Sequence, residues 1–128
     1  MDTAVMLDRA RKALENCYCP YSRFRVAAVL EDGDGMLHTG VNIENGSYGL
    51  TMCAERVALF KALSRGKRQF TGLMVYSPDG NPLPCGACRQ VLAEFCKGGM
   101  PVYAAGEDSM EKFTLKDLLP HAFSMKNT

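Results

Sequence analysis

The stretch PCGACRQ, residues 84–90, decides how this chain is interpreted. It places Cys85 and Cys88 three residues apart at the predicted start of a helix. Side chains at i and i+3 share one helix face, so the two thiols can bind one ion together. The pair alone is weak evidence, because a redox dithiol, half of a metal site and two inert buried cysteines all fit it.

A third cysteine lies 32 residues upstream of Cys85, in TMCAERVAL, residues 51–59. This residue, Cys53, also stands at the predicted start of a helix. Helix N-termini favour the thiolate, which is the form of cysteine that binds metal. Three thiolates with no fourth protein ligand predict a tetrahedral zinc ion with one open position, as in catalytic rather than structural sites.

Glu55 follows Cys53 by two residues. Residues two apart do not share a face in the middle of a helix. In the first turn, however, both can point toward an ion near the helix end. A carboxylate beside zinc-bound water can accept its proton. A lone glutamate at this position would by default stabilise the helix dipole, but the three cysteines favour the catalytic role.

Two other classes of function compete with this interpretation. In a zinc-stapled interaction module the metal would serve folding only, its fourth coordination position would be closed, and Glu55 would have no role. In a thiol–disulfide enzyme Cys85 and Cys88 would suffice, and Cys53 and Glu55 would not be needed beside them. His38 and His121 are predicted to be solvated surface residues rather than ligands.

Length and charge narrow the choice further. The 128 residues predict a single domain, 1–128, with one sizeable core. A formal net charge of +1 lacks the concentrated basic face of nucleic-acid binders. No apolar run approaches the roughly 20 residues that cross a bilayer. Six cysteines without a visible signal peptide favour a reducing cytoplasm. We therefore expect a cytoplasmic protein with neither nucleic-acid nor membrane partners.

Turn signals divide the chain into short helices and strands. A helix is predicted at about residues 2–15, with Asp2 as its N-cap. FRVAAVL (24–30) and MLHTGVNI (36–43) flank EDGDG and predict a β-hairpin. The remaining predicted strands are FTGLMVYS (70–77), PVYAAG (101–106) and KFTL (112–115), and the remaining helices are CAERVALFKALSRG (53–66), GACRQVLAEFCKGG (86–99) and LKDLLP (115–120). Strands alternating with helices after a hairpin predict a mixed sheet covered by helices.

The order C-A-E-R followed about 30 residues later by P-C-x-x-C resembles the zinc-dependent nucleobase and nucleoside deaminases. Longer runs are similar to the small cytidine deaminases that form homotetramers. These runs are YSRF (21–24), VNIENGSYGLTMCAERVALFKA (41–62) and PCGACRQVLAEF (84–95), and the resemblance extends from about Pro20 to Phe123.

The resemblance implies both fold and reaction. The fold would be α/β: a three-layer α-β-α arrangement with a mixed five-stranded sheet and helices on both faces. The reaction would be zinc-dependent hydrolysis of cytidine and deoxycytidine to uridine and deoxyuridine plus ammonia, in pyrimidine salvage. Zn²⁺ would activate water against C4 of the cytosine ring. Glu55 would take the water proton, deliver it to N3 and help to protonate the leaving amino group.

The resemblance also assigns substrate contacts. Asn42 and Glu44 would point to the same side of a strand and bind the ribose hydroxyls. Phe24 would lie along the nucleoside, and the backbone N–H of Ala54 would bind the base carbonyl O2. Tyr48 would act at a subunit boundary, near the ribose of a neighbour.

Two further residues are predicted to act around the site. Arg56 would donate hydrogen bonds to the zinc thiolates and offset the net negative charge that three thiolates leave on the centre. Phe123 would reach across a subunit interface of the homotetramer and stack on the base in a neighbour's site. The alternative for Phe123 is a hydrophobic anchor that ties the tail to its own subunit.

A few positions depart from the family's usual pattern. Arg25, Val26 and Ala27 stand where proline, valine and glycine are frequent, and Gly46 stands where alanine is usual. These positions lie beside the predicted sugar pocket and bear on substrate preference rather than on the zinc chemistry. No role is predicted for the remaining cysteines, Cys17, Cys19 and Cys96.

Overall fold

The strands of the chain form one mixed sheet, seen in a computed structural model that describes residues 2–125. In chain order they are β1 Ala27–Asp32, β2 Leu37–Val41, β3 Phe70–Tyr76, β4 Pro101–Ala105 and β5 Met110–Thr114. Their order across the sheet is β2-β1-β3-β4-β5. β3 and β4 are parallel, and the other neighbours are antiparallel. The predicted hairpin and mixed sheet are confirmed.

The helices are α1 Thr3–Ala13, α2 Ala54–Ser64, α3 Gly86–Phe95 and α4 Leu115–Leu118. Asp2 caps α1 as predicted, because its carboxylate accepts hydrogen bonds from the backbone amides of Ala4 and Val5 at 3.1 and 3.2 Å. Past the end of α2, Gly66 adopts a φ of +85°, a conformation that glycine reaches at little cost. Within residues 2–125, none of the helices combines the length and apolarity that crossing a bilayer requires.

Each face of the sheet buries its own apolar cluster. On one face, Leu30, Leu73 and Val75 pack with side chains of α2, α3 and α4. On the other face, Val29 and Met74 pack against α1. The alternation of side chains along each strand separates the two clusters. Helices therefore cover both faces, which confirms the predicted three-layer α-β-α fold.

α2 lies directly against β2 at Gly40. A Cβ atom at this position would lie 2.4 Å from the carbonyl oxygen of Ala54 and 2.5 Å from the backbone nitrogen of Ala58. Only a residue without a side chain permits such a close approach of helix and strand. The contact fixes the first turn of α2, the turn that follows Cys53.

Strand direction brings several loops to one end of the sheet. β1 begins at this end, β2 and β3 finish there, and α2 and α3 both start from it. We call it the site end. The hairpin turn at 33–36 and the connection at 65–69 lie at the opposite end, the far end, where the Gly33 amide donates to the Gln69 carbonyl at 2.8 Å.

The prediction that His38 is a solvated residue is wrong. Its side chain is buried, and Nε2 lies 2.8 Å from Oδ2 of Asp32. In β2 the alternate positions 38 and 40 face inward, which places this histidine in the interior. Burial acts to raise the pKa of Asp32, but hydrogen bonds from His38 and the amides of Asp34 and Met36 lower it to about 2. His121 is exposed, as predicted.

Candidate metal centre and adjoining pocket

Three cysteine sulfurs meet at the site end. Cys53 is the N-cap of α2, Cys85 is the N-cap of α3, and Cys88 lies in the first turn of α3. The Sγ atoms all lie within 4.8 Å of one another. The Cys53–Cys85 distance is 3.8 Å and the Cys85–Cys88 distance is 3.5 Å. Two helix starts thus bring together residues 32 positions apart in the chain.

These spacings fit a zinc ion. A Zn–S bond of about 2.3 Å gives sulfur–sulfur edges of about 3.8 Å in a regular tetrahedron. Thiolate donors also suit zinc better than the harder magnesium or calcium. Among residues 2–125, no histidine or carboxylate joins the three sulfurs as a fourth ligand. The predicted set Cys53, Cys85 and Cys88 is therefore able to hold a metal ion with one position left for water or substrate.

The surroundings favour the charged form of Cys53. A hydrogen bond with Cys88 lowers the pKa of Cys53 to about 5 and outweighs the opposing effect of burial. Arg56 acts in the same direction, since its Nη2 donates to the Sγ of Cys53 at 3.5 Å. The structure thus brings the guanidinium of Arg56 to the thiol cluster, where it can offset negative charge.

Glu55 lies in the first turn of α2 and is only 4% exposed. Burial raises the pKa of its carboxyl to about 7. A group that titrates near neutral pH can both accept and donate a proton in one reaction cycle. Glu55 lines the same cavity as Cys53 and Cys85, so the predicted base and two of the predicted ligands face one space.

That space is a cavity of about 240 Å³. Its lining includes five more residues or segments: Phe24, Asn42, Glu44, Ala54 and the loop 81–83. Ala54 is the first residue of α2, where a backbone N–H has no partner within the helix. A larger groove of about 700 Å³ lies between α1 and residues 17–25, but none of the predicted site residues lines it. The candidate site is therefore identified by its residues and not by its volume.

Asn42 and Glu44 hold one wall of the cavity in place. Asn42 donates from Nδ2 to the carbonyl of Phe24 at 2.7 Å and accepts from the amide of Val26 at 3.0 Å. The carboxylate of Glu44 accepts from the Ser22 hydroxyl and from two backbone amides. The hydroxyl contact is the main cause of a lowered pKa of Glu44. Glu44 therefore faces the cavity as a charged hydrogen-bond acceptor.

Tyr48 and Phe123 do not line this cavity. Tyr48 is 78% exposed and lines an adjacent surface hollow together with Glu44. Phe123 is 70% exposed, although its backbone N–H and carbonyl pair with the side-chain amide of Gln90 at 3.2 and 2.9 Å. The tail is thus attached to α3 through its backbone, while Phe123 itself remains largely exposed.

Sequence reasoning missed the loop wall of the cavity, residues 81–83. Asn81, Pro82 and Leu83 contain no motif of their own. A positional signal was present, because the loop follows the carboxyl end of β3 and leads into α3. In α/β sheets, ligands bind outside the carboxyl ends of strands.

Comparisons with known proteins agree with this geometry. Residues 2–104 match the family model described as the cytidine and deoxycytidylate deaminase zinc-binding region. A cytidine deaminase of Sporosarcina psychrophila is 48% identical, with 99% of this chain and 95% of the relative covered. A cytidine deaminase of Halalkalibacterium halodurans is 46% identical, with 99% and 98% covered.

Solved structures give the same result. The crystal structure of a cytidine deaminase from Burkholderia pseudomallei superimposes with a TM-score of 0.91 at 42% identity. The match covers 96% of this chain and 100% of that one. The agreement extends over the whole fold and is not confined to the cysteine motif.

Proposed function

We propose that this chain, which belongs to the cytidine and deoxycytidylate deaminase family, hydrolyses cytidine and deoxycytidine to uridine and deoxyuridine with release of ammonia. The observation that carries the proposal is the meeting of three cysteine sulfurs with a buried glutamate at one cavity. The general role of the reaction is pyrimidine salvage. The proposed catalytic domain comprises residues 1–128.

Cys53, Cys85 and Cys88 hold the zinc. When bound, zinc supplies Lewis acidity that makes water a stronger acid near neutral pH. Arg56 donates to the sulfur of Cys53 and so draws negative charge away from the centre. This keeps a site with three thiolates electrophilic enough for hydrolysis.

Glu55 moves the protons. In this proposal its carboxylate accepts a proton from the attacking water and delivers it to N3 of the cytosine ring. After water has added to C4, Glu55 takes the proton of the new C4 hydroxyl and passes it to the amino group; the C4–N bond then breaks, the C4 carbonyl forms, and ammonia leaves. A pKa of about 7, raised by burial, suits a group that must work in both directions near neutral pH.

The cavity walls supply the nucleoside contacts. Asn42 and Glu44 bind the ribose hydroxyls, for which the charged carboxylate of Glu44 is a strong acceptor. Phe24 lies along the nucleoside, and the free backbone N–H of Ala54 binds the base carbonyl O2. All four residues line the cavity that also contains Glu55, which supports this assignment.

The decisive experiment is ultraviolet monitoring of the purified protein with cytidine, deoxycytidine, adenosine and blasticidin, together with zinc analysis. We expect one zinc per chain and turnover of cytidine and deoxycytidine only. A protein that binds zinc tightly but deaminates none of the four would instead be a zinc-stapled module. A protein that lacks zinc and cycles between dithiol and disulfide would be a redox enzyme.

We further propose a cytoplasmic homotetramer in which subunits share their sites. Two exposed aromatic rings support shared sites, since Tyr48 and Phe123 lie outside their own cavity and are largely uncovered. Aromatic side chains are enriched at protein interfaces relative to the rest of the protein surface. Phe123 would stack on the base in a neighbour's site, and Tyr48 would lie near a neighbour's ribose.

A mixing experiment tests the shared sites. Phe123→Ala should raise KM with zinc content intact, and native mass spectrometry should show four chains. Exchange of subunits with the Glu55→Gln variant should give more activity than the sum of the two variants, because a hybrid pairs an intact Glu55 with a neighbour's intact Phe123. No gain despite demonstrated exchange would show that each subunit builds its site alone.

A further inference from the structure

A bidentate ion pair between Arg25 and Asp79 connects two walls of the cavity that contains Glu55, which we call the catalytic cavity. Arg25 Nε lies 3.0 Å from Oδ2 of Asp79, and Arg25 Nη2 lies 2.8 Å from Oδ1. The backbone N–H of Arg25 also donates to Oδ2, at 2.9 Å. One carboxylate thus receives three hydrogen bonds from a residue 54 positions earlier in the chain.

The residues next to this pair are in contact as well. Phe24 precedes Arg25, and Gly80 follows Asp79. A Cβ atom at Gly80 would lie 2.7 Å from Cε2 of Phe24, so the aromatic ring rests directly on the backbone of the loop. Phe24 and residues 81–83 all line the cavity that contains Glu55.

Asp79 is well placed to act as the fixed partner. Its backbone N–H donates to Ser77 Oγ at 3.1 Å, and the Ser77 amide donates to the carbonyl of Ala105 in β4 at 3.0 Å. Hydrogen bonds from Arg25 lower the pKa of Asp79 to about 2, so its carboxylate is charged at neutral pH. The side chain of Asp79 is 25% exposed and that of Arg25 is 50% exposed.

We infer that the Arg25–Asp79 pair is a clasp that positions Phe24 and the loop 81–83 for nucleoside binding. The inference rests on the proposed function, and it makes both residues positioning residues, since neither lines the catalytic cavity. It also gives a role to Arg25, which departs from the family's usual proline.

Kinetics of clasp variants test the inference. Arg25→Ala and Asp79→Ala should raise KM for cytidine by about two- to fivefold, the range for a partly exposed ion pair, with kcat and zinc content unchanged. Asp79→Ala should have the larger effect, because it also removes the acceptor of the Arg25 amide. Arg25→Lys should raise KM nearly as much as Arg25→Ala, since lysine cannot form a bidentate ion pair with the carboxylate. The dissociation constant of cytidine, measured in the Glu55→Gln background, should rise in the same ratio as KM.

Two comparisons separate a clasp from a general effect of charge. Arg23→Ala removes the same charge two residues away and should leave KM unchanged. The double variant Arg25→Ala/Asp79→Ala should be no worse than Asp79→Ala alone, because partners in one interaction are not additive. An unchanged KM in both single variants, an equal effect in Arg23→Ala, or additive effects in the double variant would overturn the inference.

Hydrogen exchange gives an answer that does not depend on activity. Asp79→Ala should speed amide exchange at residues 79–81 and 83 relative to wild type, whether or not cytidine proves to be the substrate; positions 78 and 82 are prolines and carry no amide hydrogen. If these amides exchange in Asp79→Ala at the same rate as in wild type, the clasp is refuted. Failure of the wild type to deaminate would refute only the proposed function. If Asp79→Ala does not fold, the same exchange measurement on Arg25→Ala decides the question.

Discussion

Gly40→Ala should disturb the candidate site by pushing the first turn of α2 away from β2. The added Cβ would lie 2.4 Å from the Ala54 carbonyl oxygen, whereas ordinary contacts begin near 3.4 Å, so helix and strand must separate by about 1 Å. Overpacking of this kind costs roughly 1–3 kcal/mol of stability. It should lower Tm by roughly 5–15 °C. A shift of about 1 Å in catalytic groups can also cost about 10²-fold in rate.

Thermal unfolding and steady-state kinetics, with zinc analysis, measure both effects. Gly99→Ala is the matched control, because a Cβ there would meet no atom within 4 Å. We expect Gly40→Ala to lose both Tm and kcat/KM while the control stays near wild type. If the two variants behave alike, the tight contact between α2 and β2 does not hold the first turn of α2, which carries Glu55, in position.

Three further predictions concern individual charged groups. Glu55→Gln should keep its zinc and fold but lose at least about 10²-fold in kcat; near-normal turnover with zinc bound would remove Glu55 from the mechanism. Arg56→Ala should lower kcat more than it raises KM, and an unchanged kcat with zinc retained would make Arg56 a surface charge only. The pKa of Asp32 falls from 3.8 to about 2 on folding, so its contribution to the free energy of unfolding is present above about pH 4 and lost as the pH falls toward 2. Denaturant titrations at several pH values should therefore show that the free energy of unfolding falls less between about pH 4 and pH 2 in Asp32→Asn than in wild type. An equal fall in both proteins would contradict this account.

Local patterns were enough to predict the elements of the fold. Alternation and turn residues located the hairpin, and the Asp2 cap and Gly66 marked helix ends that the structure confirms. His38 was misplaced because a histidine in a short alternating strand fits either face. Its partner Asp32 lies across the hairpin turn, and only the register of β1 and β2 reveals the pair.

The metal site was predictable for a different reason. Its ligands belong to two short motifs whose spacing restricts their chemistry. The cavity wall at 81–83 and the Arg25–Asp79 pair depend instead on how two distant segments approach each other, which no local pattern encodes. The contact between the Gln90 side chain and the backbone of Phe123 could not be predicted from the sequence either, because a bond to backbone atoms requires no particular residue at that position.

The two ends of the sheet offer different freedom to the protein engineer. The three cysteine sulfurs, the proposed base and the proposed nucleoside contacts lie at the site end. The far end holds the hairpin turn around Gly35, which is exposed and where an added Cβ atom would meet no other atom within 4 Å. A reporter peptide or immobilisation tag inserted after Gly35 should therefore leave catalysis intact. The same insertion between β3 and α3 would displace Cys85 and Cys88 relative to Cys53 and should abolish turnover.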